Sequence, residues 1–176
     1  MKIRAAVPRD RNAIRQLHLQ AFDESENSMV AALAVNLLDE ETTPPTLAFV
    51  ADIDAIVAGH VAFSPVTAES DHSFTGYILA PLGVSPAHQG VGVGSRLTEH
   101  GIEQIANTGV DLLFVYGDPK YYGRFGFSAA TAEPYLPPYS LEYPFGWQAL
   151  ALDAKDPPGS PIPIACVASL SDPELW

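Results

Sequence analysis

The sequence predicts an α/β fold, on three observations. An apolar run from Tyr77 to Val84 reads as a strand, is stopped by Ser85-Pro86, and passes through Gly90, Gly92 and Gly94 into a helical pattern. After that helix, Leu112-Leu113-Phe114-Val115-Tyr116 is uninterrupted and apolar, as expected of a strand buried on both faces beside a parallel neighbour. Strand, helix and strand in this order imply a right-handed crossover. Upstream, two apolar runs joined by Asp52-Ile53-Asp54 read as an antiparallel hairpin. Without an internal repeat or a linker, residues 1–176 read as a single domain.

The elements follow in order. Ile3 to Ala6 suits a short strand. Asp10 is placed to cap a helix in which Ile14, Leu17, Ala21 and Phe22 recur at helical spacing. A polar link, Asp23 to Asn27, precedes a second helix with Met29, Leu33 and Leu37 on one face, and Thr43-Pro44-Pro45 ends it. The hairpin pairs Leu47–Ala51 with Ala55–Phe63 and closes at Ser64-Pro65. A polar segment around Glu69-Ser70-Asp71-His72 leads into the Tyr77–Val84 strand. In the helix after the glycines, Leu97, Gly101 and Ile105 fall one turn apart, and Asn107-Thr108-Gly109 is a stop signal. Asp118 and Pro119 suit the cap and first position of a last, short helix ending at Gly126. Residues 133 to 147, rich in proline and aromatics, read as an irregular loop. Trp147–Leu152 and Ile162–Ala168 complete the strands, the latter limited by Pro163.

Composition narrows the function. Hydrophobic residues are 47% and charged ones 17%, the balance of a globular chain. No apolar run approaches the roughly 20 residues of a membrane span, and Met1-Lys2-Ile3-Arg4 lacks a signal peptide's apolar core. The single cysteine, Cys166, rules out a disulfide framework, reads as a buried filler, and makes the cytoplasm the default location. A net charge of −12 argues against nucleic acid as a partner and favours a cationic one. The five histidines form no H-x-x-x-H pair, and no metal site is indicated.

A glycine turn at a helix start is an anion cradle. The first helical N–H groups lack partners, the helix dipole is positive there, and glycine tolerates φ > 0 and close approach of a phosphate. A nucleotide P-loop requires Lys-Ser/Thr after its last glycine, whereas Gly94 is followed by Ser95-Arg96. A dinucleotide fingerprint requires a third glycine where this chain has Ser95, which disfavours a dinucleotide-dependent oxidoreductase. What does fit is Gln89-x-x-Gly92-x-Gly94 after a strand ending Val84-x-Pro86. This resembles the coenzyme A pyrophosphate loop of the GNAT superfamily of N-acyltransferases.

A second motif, Tyr122-Gly123-Arg124-Phe125-Gly126-Phe127, has the form Y-x-x-x-G-F and lies in the right order after the first. Tyr77 to Phe127 as a whole is similar to this superfamily, and Gly117-Asp118-Pro119-x-Tyr121-Tyr122 resembles a branch of bacterial predicted acetyltransferases. The resemblance implies a mixed, mostly antiparallel sheet with a central parallel pair that splays apart, flanked by about four helices. It implies an acetyltransferase that moves acetyl from acetyl-CoA to a primary amine by direct attack on the thioester; a non-catalytic acyl-CoA-binding module is the alternative. The cofactor contacts it implies are Leu82, Gly83 and Val84 at the splay, with a backbone N–H for the oxyanion, and Gln89, Gly90, Val91, Gly92, Val93, Gly94, Ser95 and Arg96 around the pyrophosphate. Tyr122 matches the family's general acid for the leaving thiolate. Glu24, with Glu26 beside it, lies in the link that the family folds over the acceptor and is the candidate base. Where many members carry an Asn that bonds the pantetheine arm, this chain has Gly117-Asp118-Pro119. His60 reads as a core histidine, His88 as solvent-facing, and Arg124 as a surface salt bridge. A small-molecule or peptide amine is the expected acceptor, no membrane is expected as a partner, and a homodimer is compatible with this reading.

Overall fold

The periodicities of 2 and 3.6 that mark strands and helices in the chain reappear as buried faces in the computed structural model, which describes residues 1–68, 74–153 and 156–176. In chain order the regular elements are β1 (Lys2–Ala5), α1 (Arg11–Ala21), α2 (Asn27–Asp39), β2 (Leu47–Ile53), β3 (Ile56–Ala68), β4 (Gly76–Val84), α3 (Val93–Ala106), β5 (Leu112–Tyr116), α4 (Pro119–Tyr122), α5 (Ala129–Ala132), β6 (Tyr135–Leu136), β7 (Trp147–Ala151) and β8 (Ile162–Cys166). Among the described residues the strands form one eight-stranded sheet in the order β1-β2-β3-β4-β5-β7, with β8 pairing β3 and β6 pairing β8. The β4–β5 pair is parallel, and β1–β2, β2–β3, β3–β8 and β5–β7 are antiparallel. This is the mixed, mostly antiparallel sheet with a parallel pair that the resemblance implied, with five helices among the described residues. Contacts cluster into two compact units, residues 1–63 with 80–103 and residues 64–79 with 104–176.

In the first unit, β2 and β3 meet through a tight turn at Asp54 and Ala55, both at positive φ (50° and 63°). Ile14 of α1, Ala34 of α2 and Val50 of β2 are fully buried and pack together, each from the apolar stripe of its element. Asp10 precedes α1, but its side chain does not cap that helix. Its carboxylate accepts from the Val7 N–H at 2.9 Å and from Arg4 at 2.6 Å, and Arg4 also donates to Asp52 at 2.7 Å. The Arg4 bond, with the Val7 N–H behind it, holds the Asp10 carboxyl below its ordinary range despite the opposing pull of burial.

Helix α3 seats on β3 through two glycines. A Cβ at Gly59 would lie 2.8 Å from Leu97 Cδ1 and from Val93 Cγ1, and one at Gly101 would collide with the Phe63 ring. Gly101, one turn after Leu97 in α3, and Gly59 in β3 therefore act together. They let helix and strand approach.

In the second unit the β4–β5 ladder runs from Gly76↔Leu112 to Leu79↔Val115 and ends there. Farther along β4, Pro81 brings no N–H. Phe114 of β5 stacks on Trp147 of β7 at 5.1 Å, and the Trp147 indole N–H donates to the Tyr135 carbonyl at 2.8 Å.

Three boundaries differ from the sequence reading. Strand β3 passes through Pro65 to Ala68, because the ladder to β8 begins only at Val66↔Cys166 and so needs nothing from Pro65. Helix α4 is not the last: α5 follows, with Ser128 Oγ accepting from the Thr131 N–H at 3.1 Å. The loop after Glu133 contains β6, whose Tyr135 pairs Ile162 in parallel. The segment Glu69–His72 lies outside the described residues.

Candidate functional site

The glycine cradle is built in the first unit from the end of β4 onward. The Ser85 N–H donates to the Ala58 carbonyl at 2.9 Å, and a 3-10 turn over Pro86–His88 reverses the chain. His88 is half-buried and not simply solvent-facing, with its Nδ1 3.0 Å from Ser85 Oγ. The Gln89 amide donates back to the Val84 carbonyl at 3.0 Å, so this side chain ties the turn to the strand that feeds it. Gly90 and Gly92 sit at φ +74° and +89°, with open space where a Cβ would be. Backbone conformation, not crowding, requires glycine there. Val91 between them is 72% exposed.

Helix α3 starts at Val93, and an early bond of its ladder is Arg96 N–H to the Gly92 carbonyl at 3.1 Å. The Val93 and Gly94 amides precede that bond, at the positive end of a 14-residue helix. Buried Val93 and Leu97 anchor the helix while Arg96 is exposed. The chain thus forms a turn tied to β4 by Gln89 and held by buried Val93 and Leu97, at a helix start whose first N–H groups have no partner within the helix.

Just before this turn, Gly83 is buried in β4 against α1. A Cβ on it would lie 2.7 Å from both Cε1 and Nδ1 of His18, and 3.0 Å from Leu17 Cδ2. His18 Nε2 is in turn 2.9 Å from His60 Nδ1, and both rings are wholly buried. Burial lowers His18 to about 4 and pushes His60 well below its ordinary value, so both rings are neutral. His60 is a core histidine as its apolar strand predicted, but only one of its ring nitrogens has a partner. The sequence reading overlooked His18. Its signal was present: it lies four residues after Ile14 and next to Leu17, on the apolar stripe of α1.

The tyrosine element belongs to the second unit. Asp118 accepts from the Lys120 N–H at 2.9 Å and Pro119 takes the first helical position, as predicted. The Gly117 N–H donates to the Gly146 carbonyl at 2.9 Å, and the Gln148 amide donates to the Gly117 carbonyl at 3.1 Å. This pinned glycine lies under Tyr122: a Cβ on it would be 2.5 Å from Tyr122 Cε2. The Tyr122 ring also meets Phe127 at 5.8 Å and Tyr121 at 4.9 Å, nearly perpendicular to each. Burial, and secondarily Tyr121, raise the Tyr122 phenol above its ordinary value, so it keeps its proton. Arg124 lies 4.6 Å over the Tyr121 ring and donates to the Tyr121 carbonyl at 3.1 Å, rather than standing as a plain surface charge. Gly126, at φ +91°, terminates the element.

The remaining candidates are dispersed. Glu24 and Glu26 are exposed in the link before α2. Cys166 is half-buried in β8, and burial pushes its thiol up to about 12, far from nucleophilic. Among the described residues no three His, Cys, Asp or Glu side chains are grouped to hold a metal, and no helix is long and apolar enough to cross a membrane.

Comparison with known proteins agrees with these two motifs. The family model described as "Acetyltransferase (GNAT) family" matches residues 11–127. The chain is 35% identical over 150 residues to the uncharacterized N-acetyltransferase YjhQ of Escherichia coli K12, across 83% of this chain and 81% of that one. The GNAT N-acetyltransferase YhbS of Escherichia coli, solved in complex with CoA, matches with a TM-score of 0.83 and 26% identity, over 97% of this chain and 92% of its own. A GNAT acetyltransferase from Brucella melitensis, solved with acetyl-CoA, matches with a TM-score of 0.69 and 31% identity, over 96% of both chains. The family match takes in the cradle and the tyrosine element alike, and the chain therefore belongs to the acetyltransferase (GNAT) family of acyl-CoA-dependent enzymes.

Proposed function

We propose that this chain, acting as one domain over 1–176, transfers acetyl from acetyl-CoA to a primary amine by direct attack on the thioester. The observation that carries the reading is the turn at Gly90 and Gly92, both at positive φ, leading into the N-terminus of α3. The solved complexes of YhbS with CoA and of the Brucella protein with acetyl-CoA support it. In this reading Gly90, Val91, Gly92, Val93, Gly94 and Ser95 hold the pyrophosphate through their amides, with Arg96 beside them. Gln89 keeps the turn on the end of β4. The backbone of Leu82-Gly83-Val84 donates to the oxygen that becomes negative as the amine attacks. Tyr122, held protonated by burial, gives its proton to the leaving sulfur. The acceptor is a small-molecule or peptide amine, drawn by the chain's net charge of −12. Cytoplasmic residence is part of the same proposal, supported by the lone cysteine.

Two measurements test it. Acetyl-CoA at a hundredfold excess over Kd should stabilise the fold by about 2.7 kcal/mol, read as a rise in Tm. Free thiol release should then be followed with a panel of putrescine, spermidine, kanamycin and short peptides. No Tm shift at millimolar acetyl-CoA removes the cofactor assignment. A shift without thiol release for any amine leaves a binding module in place of the enzyme.

A further inference from the structure

The chemistry above leaves two buried histidines of the first unit unused. His18 of α1 and His60 of β3 share one hydrogen bond, Nε2 to Nδ1 at 2.9 Å, with their rings at 87°. Each ring has a second nitrogen, and neither His18 Nδ1 nor His60 Nε2 has a partner although both are buried. Buried polar atoms are nearly always bonded, so two in one pair require a reason. Their location supplies it. The Cε1–Nδ1 edge of His18 is pressed against Gly83, close enough that a Cβ there would lie 2.7 Å from each atom. Gly83 is the middle residue of the stretch assigned above to the thioester oxygen. Phe22 stacks on the His18 ring at 5.7 Å and holds its orientation.

We propose that His18 is the base of acetyl transfer and His60 its positioning partner, with Nδ1 of His18 taking the proton of the attacking amine. The inference rests on the acetyl-transfer reading. A neutral imidazole carries one N–H. With that hydrogen on His18 Nε2, donated to His60 Nδ1, the lone pair of His18 is on Nδ1 beside Gly83, and His60 carries its own hydrogen on Nε2. The reverse pair of tautomers has His60 Nδ1–H donating to His18 Nε2 and puts an N–H on His18 Nδ1 at Gly83, where no proton can then be taken. Burial keeps the lone pair available, because it disfavours the charged ring until a proton is delivered. As a neutral amine attacks, the C–N bond forms and the nitrogen becomes cationic; its proton moves to His18 Nδ1. The C–S bond then breaks, the thiolate takes a proton from the general acid, and as the products leave His18 gives up its proton while the general acid regains one, so that no net proton is consumed. His60 stabilises the intervening imidazolium by accepting from its Nε2–H. Glu24, exposed in its link, is not required as the base.

The test compares variants with the amine that the intact protein acetylates fastest among putrescine, kanamycin and a short peptide. His18→Gln keeps a polar group toward His60 but has no nitrogen lone pair at the Nδ1 position. Its kcat should fall about 10²- to 10⁴-fold while acetyl-CoA raises its Tm as in the intact protein. His60→Asn presents an oxygen where Nδ1 stood and should retain most of the activity, whereas His60→Leu should lose it with acetyl-CoA binding unchanged. A His18→Gln protein within about threefold of the intact kcat overturns the assignment. If His18→Gln does not fold, the His60 pair decides, and equal activity of its Asn and Leu variants is the overturning result. Loss of acetyl-CoA binding in step with kcat assigns the histidines a structural role and also overturns it. Binding of acetyl-CoA by the intact protein without transfer to any amine removes the acetyl-transfer reading itself, and this base with it.

Discussion

At the scale of single residues, Gly117 and Tyr122 are directly coupled. The glycine's φ is ordinary; what it supplies is the absence of a side chain, because the Tyr122 ring occupies the space a Cβ would take, with Cε2 at 2.5 Å. The backbone bond to Gly146 and the bond from the Gln148 side-chain amide stop the glycine from yielding, so in a Gly117→Ala variant the ring must move instead. Tyr122→Phe should lower kcat about 10²- to 10⁴-fold with the ring's packing intact. Gly117→Ala should cost up to about 10²-fold by misplacing the same hydroxyl. The double variant should be no slower than Tyr122→Phe alone, because both changes act through one group. Additive losses in steady-state kcat would show that Gly117 acts elsewhere. Tyr121→Phe should be mild in rate and neutral in stability, since the Tyr121 hydroxyl is buried without a hydrogen-bond partner.

At the scale of elements, two kinds of constraint are separated around the glycine turn. Val93 and Leu97 anchor α3 against Gly59, while Gly90 and Gly92 shape a turn that touches nothing at their Cβ positions. A side chain at Gly92 meets no neighbour in the free protein, yet it is strained by about 1–2 kcal/mol at φ +89°. Gly92→Val should therefore leave the fold in place and weaken CoA binding by at least about 2 kcal/mol, through a re-aimed backbone and a side chain at the phosphates. Calorimetric titration with CoA checks this. An unchanged Kd would place the pyrophosphate on another element.

For the whole molecule, the buried histidines couple stability to pH. The folded value of His18 is depressed to about 4 and that of His60 lies well below 6.5, so the unfolded chain binds protons first on acidification. Their contribution is complete above the unfolded value near 6.5 and is lost as pH falls from there toward the folded values. Each histidine removes about 1.4 kcal/mol per pH unit within that window. The charges acting on His60 are its neighbour His18, which lowers it further, and Asp10, which works weakly the other way. Asp10 is itself depressed below 3.8, so its own contribution fails only at lower pH. Urea midpoints should fall steeply between about pH 7 and 5, and the slope should be shallower in His18→Gln. A flat profile over that range would mean that the pair does not stay neutral and buried.

What the chain determined alone was local. The Gln89-x-x-Gly92-x-Gly94 turn, the capped Asp118-Pro119 start and the run Leu112–Tyr116 are written in adjacent residues, because φ preference, capping and strand burial act within a few positions. Those features carried the sheet, the glycine turn and the family. Tertiary structure decided what depends on residues distant in sequence. The bond between His18 and His60 joins positions 42 apart. Asp10 turned from a cap to a partner of Arg4 and of the Val7 amide once Arg4 was also fixed by Asp52. Pro65 stayed in a strand because the ladder to β8 starts one residue later. Tyr122 stands out by its motif alone, whereas Gly117 beneath it is explained only by the packing of the Tyr122 ring. A side chain's chemistry is read from its type, whereas its partners are set by which elements the fold brings into contact.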